Sequence, residues 1–307
     1  MTLIFTDPVF ALHETPRGHP ERPERMAAVD RALATGPLAD LPRRSFEPAP
    51  YEAIAACHPS SYIDRLEALI PEAGLVAVDA DTSVGPHSMI AARLGSGASL
   101  AAVDAVMGAE TPNAFVAARP PGHHAERTRA MGFCLINHVA IAARHAQAKH
   151  GAKRVAIVDF DVHHGNGTQD IFQDDGSVLY VSTHQSPHYP GTGAASERGV
   201  GNIVNLPLPA GTDGPHYRAV FEGEVMRAVA AFGPDLVILS AGFDAHAEDP
   251  LGDLLLVEDD FVWITRKMMD YAAEHCASRL VSCLEGGYSL GALERSVVAH
   301  VTALANA

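Results

Sequence analysis

Apolar and polar positions along this chain fall into blocks. Short apolar runs, mostly β-branched or aliphatic, occur at residues 2–5, 113–118, 154–158, 178–183, 203–208, 236–240 and 280–284. Runs of that length bounded by polar, Gly or Pro residues predict buried strands. Between them lie longer stretches with helical spacing. Residues 24–34 put Met26, Val29 and Leu33 on one face. Helices are likewise predicted over 88–108, an alanine-rich stretch, and over 137–150, 215–232, 258–275 and 290–305. Residues 51–70 predict two short helices broken at Pro59. Residues 13–23, HETPRGHPERP, read as a loop too polar for the core, and 76–85 and 185–201 also read as loops. Strands alternate with helices, and neither a repeat nor a composition break intervenes. The prediction is a single α/β domain over residues 1–307, with a mostly parallel central sheet and helices on both faces.

One stretch organises the rest: residues 158–167, VDFDVHHGNG. An apolar strand ends there in a burst of charge, at the carboxyl end where an open α/β sheet places its ligands. Asp161 and His163 are two apart, so on an extended strand end they point the same way. A carboxylate and an imidazole converging in this way make half of a divalent-metal site. Asp244, which follows the run LVILS, offers a third ligand. Three protein ligands leave one position for water, the mark of a catalytic zinc site. Two further strand ends carry polar residues. RPPGHHA places His123 and His124 on a loop stiffened by proline, and imidazoles suit general acid/base work near neutrality. In LEGGYS, Gly286 and Gly287 permit a tight turn that presents Tyr288 as a phenol donor.

Composition narrows the classes. Lys plus Arg is 22 against 37 Asp plus Glu, a net charge of −15. Nucleic-acid binders are more often basic, so direct nucleic-acid binding is not expected. The four cysteines, Cys57, Cys134, Cys276 and Cys283, have no C-x-x-C spacing and fit reduced thiols of a cytoplasmic protein. The first residues lack the basic and apolar regions of a signal peptide, and no apolar run reaches the roughly 20 residues of a membrane span, so no membrane contact is expected.

RPPGHHA, GFC, DFDVHHGNG, PGTG, SAGFDAH and LEGGY, in this order, resemble the zinc-dependent histone deacetylase family, whose superfamily includes acetylpolyamine amidohydrolases. The likeness runs from about His19 to the C-terminus and implies the arginase-like α/β fold. It implies Asp161, His163 and Asp244 as zinc ligands, His123 and His124 as the tandem active-site pair, Asp159 and Asn166 as their orienting partners, and Tyr288 as the oxyanion donor. By the same resemblance, His19, Pro20, Gly132, Phe133, Tyr189, Leu251, Gly286 and Gly287 face substrate. Structural potassium is implied at Asp159, Asp161, His163, Ser182 and Thr183, and a second ion at the carbonyls of Phe172, Asp175 and Val178. Asn166 and HPERPER at 19–25 are similar to the class II branch. Leu251 stands where the polyamine-specific branch has a glutamate. The implied reaction is hydrolysis of an acyl amide on a lysine side chain of a peptide or protein, or on a small acetylated amine. An acetylpolyamine deacetylase and a non-catalytic acyl-lysine or metabolite binding module are the alternatives. A binuclear manganese ureohydrolase would need more carboxylates than D-x-H plus Asp244 supplies.

Overall fold

The computed structural model describes residues 1–306. Seven strands form one parallel sheet: β1 (Thr2–Phe5), β4 (Asn113–Val116), β5 (Val155–Asp159), β6 (Val178–Gln185), β7 (Ile203–Leu208), β8 (Leu236–Ala241) and β9 (Leu280–Leu284). Their order is β1-β4-β9-β8-β5-β6-β7. β5, β8 and β9 are buried along their whole length, because helices cover both faces of the sheet and leave no polar side to it. That is why these strands read as continuous apolar runs.

The helices are α1 (Glu24–Leu33), α2 (Tyr51–Ala55), α3 (Ser60–Ala68), α4 (Ser88–Met107), α5 (His138–His150), α6 (Asn166–Phe172), α7 (Gly214–Val220), α8 (Met226–Phe232), α9 (Glu258–His275) and α10 (Leu290–Ala305). A π-helical turn, Phe221–Val225, joins α7 to α8, so the single helix expected over 215–232 has a π turn at its centre. α4 packs on α5, and α10 lies between α1 and α9. Asn137 caps α5 by accepting from the Ala140 amide at 3.0 Å, and Gly151 ends that helix in the left-handed region at φ 68°.

Three expectations change. Residues 76–85 contain a small antiparallel hairpin, β2 (Val76–Ala77) with β3 (Ser83–Val84). α4 is long and apolar enough to cross a membrane by length and composition, yet most of it is buried in the fold. The loop over 13–23 is not all surface. His13 and Glu21 are buried, as is Arg25 just beyond it, because their charges and polar atoms satisfy one another.

The strand order matters for function. From β5 the chain moves outward through β6 and β7, then returns to the other side of β5 as β8. Loops leaving β5 and β8 therefore flank a topological switch point, where a crevice opens at the carboxyl ends of the strands.

Candidate active site

β4, β9, β8 and β5 are neighbours in the sheet, and their four following loops carry RPPGHHA, LEGGY, SAGFDAH and DVHHGNG. The strand order thus gathers the motifs at one edge. β5 ends at Asp159, so Asp161 and His163 lie in the loop beyond it rather than on the strand. Asp161 Oδ1 still lies 3.0 Å from His163 Nδ1, and Asp244 Oδ2 reaches the same nitrogen at 3.2 Å from the loop after β8. Asp161, His163 and Asp244 each offer one donor atom within 4.8 Å of the others, and all three residues are buried.

Backbone amides aim these carboxylates. Val162 N donates to Asp244 Oδ1 at 2.9 Å, and Gly286 N donates to Asp161 Oδ2 at 2.9 Å. A Cβ on Gly286 would stand 2.0 Å from Asp244 Oδ2, and one on Gly242 would stand 2.1 Å from Asp161 Oδ2. Asp244 Oδ2 is buried with no hydrogen-bond partner. A buried carboxylate oxygen left open toward an imidazole and a second carboxylate fits a divalent cation, and N,O-donors in this number suit zinc. Burial, helped by the Asp161 charge, lifts Asp244 to about 7. Burial pulls His163 down, but the facing Asp161 and Asp244 carboxylates outweigh it and hold the ring up at about 10. A second cluster, Asp104 with His145 and His150, differs: it is half-exposed, and Lys149 also binds Asp104, so three basic side chains already share that carboxylate.

The tandem histidines are held differently. His123 Nδ1 meets Asp159 Oδ2 at 3.0 Å, and the Tyr180 hydroxyl donates to the same oxygen at 2.9 Å. Burial alone would keep His123 neutral, but Asp161 and Asp159 raise it well above its ordinary value. His124 Nδ1 meets Asn166 Oδ1 at 2.8 Å. Burial, then the charges of His123 and His163, push His124 well below its ordinary value. The two rings are therefore driven in opposite directions, with centroids 4.0 Å apart. Gly132, at φ +57°, supports the pair: a Cβ there would lie 2.4 Å from the His124 ring. Phe133 beside it also has positive φ, at 68°, a strained position for a residue with a side chain.

Aromatic rings stand on two sides. Tyr189, partly exposed, meets the His124 ring edge-on at 5.2 Å. Phe133 meets Tyr288 at 5.7 Å and His19 at 4.7 Å. His19 is fixed through Nε2 on the Asp81 carbonyl at 3.0 Å, with the half-buried Pro20 beside it. Leu251 is half-buried, and its carbonyl accepts from His188 Nε2 at 2.8 Å. Tyr288 is 7% exposed. Burial, against the opposing pull of Arg25 and with support from Asp244 and Asp161, keeps its phenol protonated far above neutrality.

Several residues that build the site lie outside the site set expected from the sequence. Glu285 accepts from Gly122 N at 2.7 Å and His123 N at 3.1 Å, tying LEGGY to the histidine loop. Asp249 Oδ2 accepts from Tyr288 N at 2.7 Å. Glu21 binds Arg25 and Arg119, all three fully buried. Glu285 and Arg25 lie inside quoted motifs, so their signal was present; Asp249 and Tyr180 had none.

Of the residues expected around potassium, Asp159 and Ser182 are register partners in β5 and β6. Ser182 Oγ meets His184 Nδ1 at 2.9 Å, and Thr183 Oγ1 meets the Tyr217 hydroxyl at 2.5 Å. The carbonyls of Phe172, Asp175 and Val178 do converge. They converge on Asn202 Nδ2, at 2.8, 3.0 and 2.8 Å, so an ion there would have to displace that amide.

The histone deacetylase domain family matches residues 19–304. The chain belongs to the histone deacetylase family. It is 41% identical over 278 residues to the histone deacetylase-like amidohydrolase of Pseudomonas aeruginosa, covering 89% of this chain and 73% of that protein. It is 40% identical over 319 residues to the chloroplastic histone deacetylase 14 of Arabidopsis thaliana, covering 96% and 74%. The solved HDA15 HD domain superposes with a TM-score of 0.93 at 36% identity, over 100% of this chain and 91% of that one. The α/β fold expected from the motifs, a parallel central sheet with helices on both faces, is the fold observed.

Proposed function

We propose that this protein is a zinc-dependent amidohydrolase that removes acetyl groups from lysine side chains. The observation that carries the reading is the open Asp161–His163–Asp244 cluster lying beside the tandem imidazoles, His123 held by the Asp159 carboxylate and His124 by the Asn166 amide. Family membership supports deacetylase chemistry. When bound by those three residues, zinc polarises the acetyl carbonyl and acidifies the attacking water.

The chain's own groups do the rest. His124 holds its proton on Nδ1 against Asn166 Oδ1 and so presents a bare Nε2. That nitrogen takes the proton of the attacking water and later delivers it to the leaving amine as the C–N bond breaks. His123, held through Nδ1 by Asp159 Oδ2, hydrogen-bonds the attacking water and adds positive electrostatic support as the carbonyl oxygen becomes an oxyanion. Tyr288 donates a hydrogen bond from its phenol to the same oxygen and keeps its proton. Phe133 and Tyr189 flank the approach with apolar surface that suits the methylenes of a lysine stem. Ser182, Thr183 and the Asp159–His163 loop are the residues that would hold a monovalent cation beside the site.

Leu251 supplies no carboxylate to receive the distal ammonium of a polyamine. The deciding experiment compares acetyl-lysine peptides, longer acyl-lysines, acetylputrescine and acetylspermidine, with metal content measured on the same sample. Peptides should be preferred in kcat/KM, with about one zinc per chain. Preference for acetylspermidine would assign the site to polyamines. Zinc without hydrolysis of any substrate would make the protein a binding module.

A further inference from the structure

Asn166 is an amide, and an amide can face His124 with either end. With oxygen forward it accepts from Nδ1–H and leaves Nε2 as the base. With nitrogen forward it donates to Nδ1, moves the imidazole proton to Nε2, and removes the base from the site. What lies behind Asn166 therefore decides whether His124 can act. Its Nδ2 is 2.7 Å from Glu126 Oε1 and 3.2 Å from Met131 Sδ. A carboxylate and a thioether only accept, so both hydrogens of the amide are drawn to that side. Its Oδ1 is then turned to His124 Nδ1, at 2.8 Å. Asn166 itself is buried, with few competing orientations.

We propose that Glu126 is a positioning residue: through Asn166 it fixes the tautomer of His124 and thereby makes Nε2 the proton acceptor. The proposal rests on the deacetylase reading of this site. It also gives a reason for the chain to use asparagine at this position. An aspartate there would place a second carboxylate against Glu126 at the 2.7 Å now spanned by a hydrogen bond.

The test is a double-mutant cycle on the zinc-loaded protein, with Glu126→Gln, Asn166→Asp and both together, read by kcat, KM and melting temperature. Glu126→Gln alone lets the Asn166 amide turn, and kcat falls several-fold while KM holds. Asn166→Asp alone sets two carboxylates together, and both kcat and melting temperature fall, kcat by about tenfold. In the double variant the introduced glutamine amide donates to the introduced aspartate, which still accepts from His124, and both quantities recover. Glu126→Gln is thus harmful in the parent and helpful in the Asn166→Asp background, a reversal of sign that a packing role does not produce. An Asn166→Asp protein with the kcat of the parent, or the same sign for Glu126→Gln in both backgrounds, overturns the proposal. If the parent hydrolyses no acylated amine, the deacetylase reading fails instead. The melting-temperature cycle then still decides whether Glu126 orients Asn166.

Discussion

The Arg25 guanidinium lies 4.9 Å over the Tyr288 ring and is bonded to the backbone of the turn that carries it. Its Nε donates to the Gly287 carbonyl at 2.7 Å and its Nη2 to the Glu285 carbonyl at 2.5 Å. A residue near the start of the chain therefore sets where the phenol of the last motif stands. Arg25→Lys keeps a charge for Glu21 but cannot bond two carbonyls from one planar fork. The expected outcome is a fall in kcat with KM and zinc content little changed. Steady-state kinetics with metal analysis checks it, and unchanged kcat would show that the turn holds Tyr288 without Arg25.

Tyr288→Phe keeps the ring against Phe133 and Arg25 and removes only the donor. Loss of one oxyanion donor costs about 10²–10³ in kcat. Melting temperature and zinc content should stay near those of the parent. Retention of most activity would mean that the hydroxyl is not aimed at the reacting oxygen.

Metal uptake should expel protons. In the metal-free protein His163 titrates at about 10 and Asp244 at about 7, yet a cation needs both groups deprotonated. Zinc affinity therefore rises with pH through the neutral range. Calorimetry in buffers of different ionisation enthalpy reads the released protons directly. Asp161→Ala and Asp244→Ala should bind less zinc and lose activity, and full zinc in either would refute the ligand assignment.

Acid should unfold the protein early. Burial keeps His13, His58 and His138 neutral down to about 4, and His300 down to about 3. The unfolded chain protonates these rings near 6.5, so below that pH it binds more protons than the fold. Stability is present above 6.5 and declines as pH falls toward 4, by up to about 1.4 kcal/mol per pH unit for each ring. Denaturant melts from pH 7.5 to 4.5 should show this slope; a flat profile would place protonated histidines in the core.

Glu21 answers Arg119 and Arg25 with no exposure of any side chain. Glu21→Gln leaves buried guanidinium charge uncompensated, which costs roughly 3–5 kcal/mol. Chemical denaturation checks the figure. A loss under about 1 kcal/mol would mean that the carbonyls of Phe10 and His13, which also accept from Arg119, suffice.

The sequence by itself determined the strands, most helices and the chemistry-bearing loops. Buried parallel strands announce themselves as apolar runs, and Asp161, His163 and Asp244 stand directly beyond two of them. The motifs also carried the family, which the match over residues 19–304 shows. Only the tertiary structure decided what surrounds those residues. The loop at 13–23 looked too polar for the core because local composition cannot show that Glu21 will meet Arg119, 98 positions away, and be neutralised there. Arg25 reaches Gly287 across 262 positions. Asn202 Nδ2 meets the three carbonyls expected around a second ion, and Glu126 accepts from the Asn166 amide. Periodicity is a local property and is written in neighbouring residues. The partner of a buried charge or amide is set by which strand ends lie side by side, and here that was the order β4-β9-β8-β5.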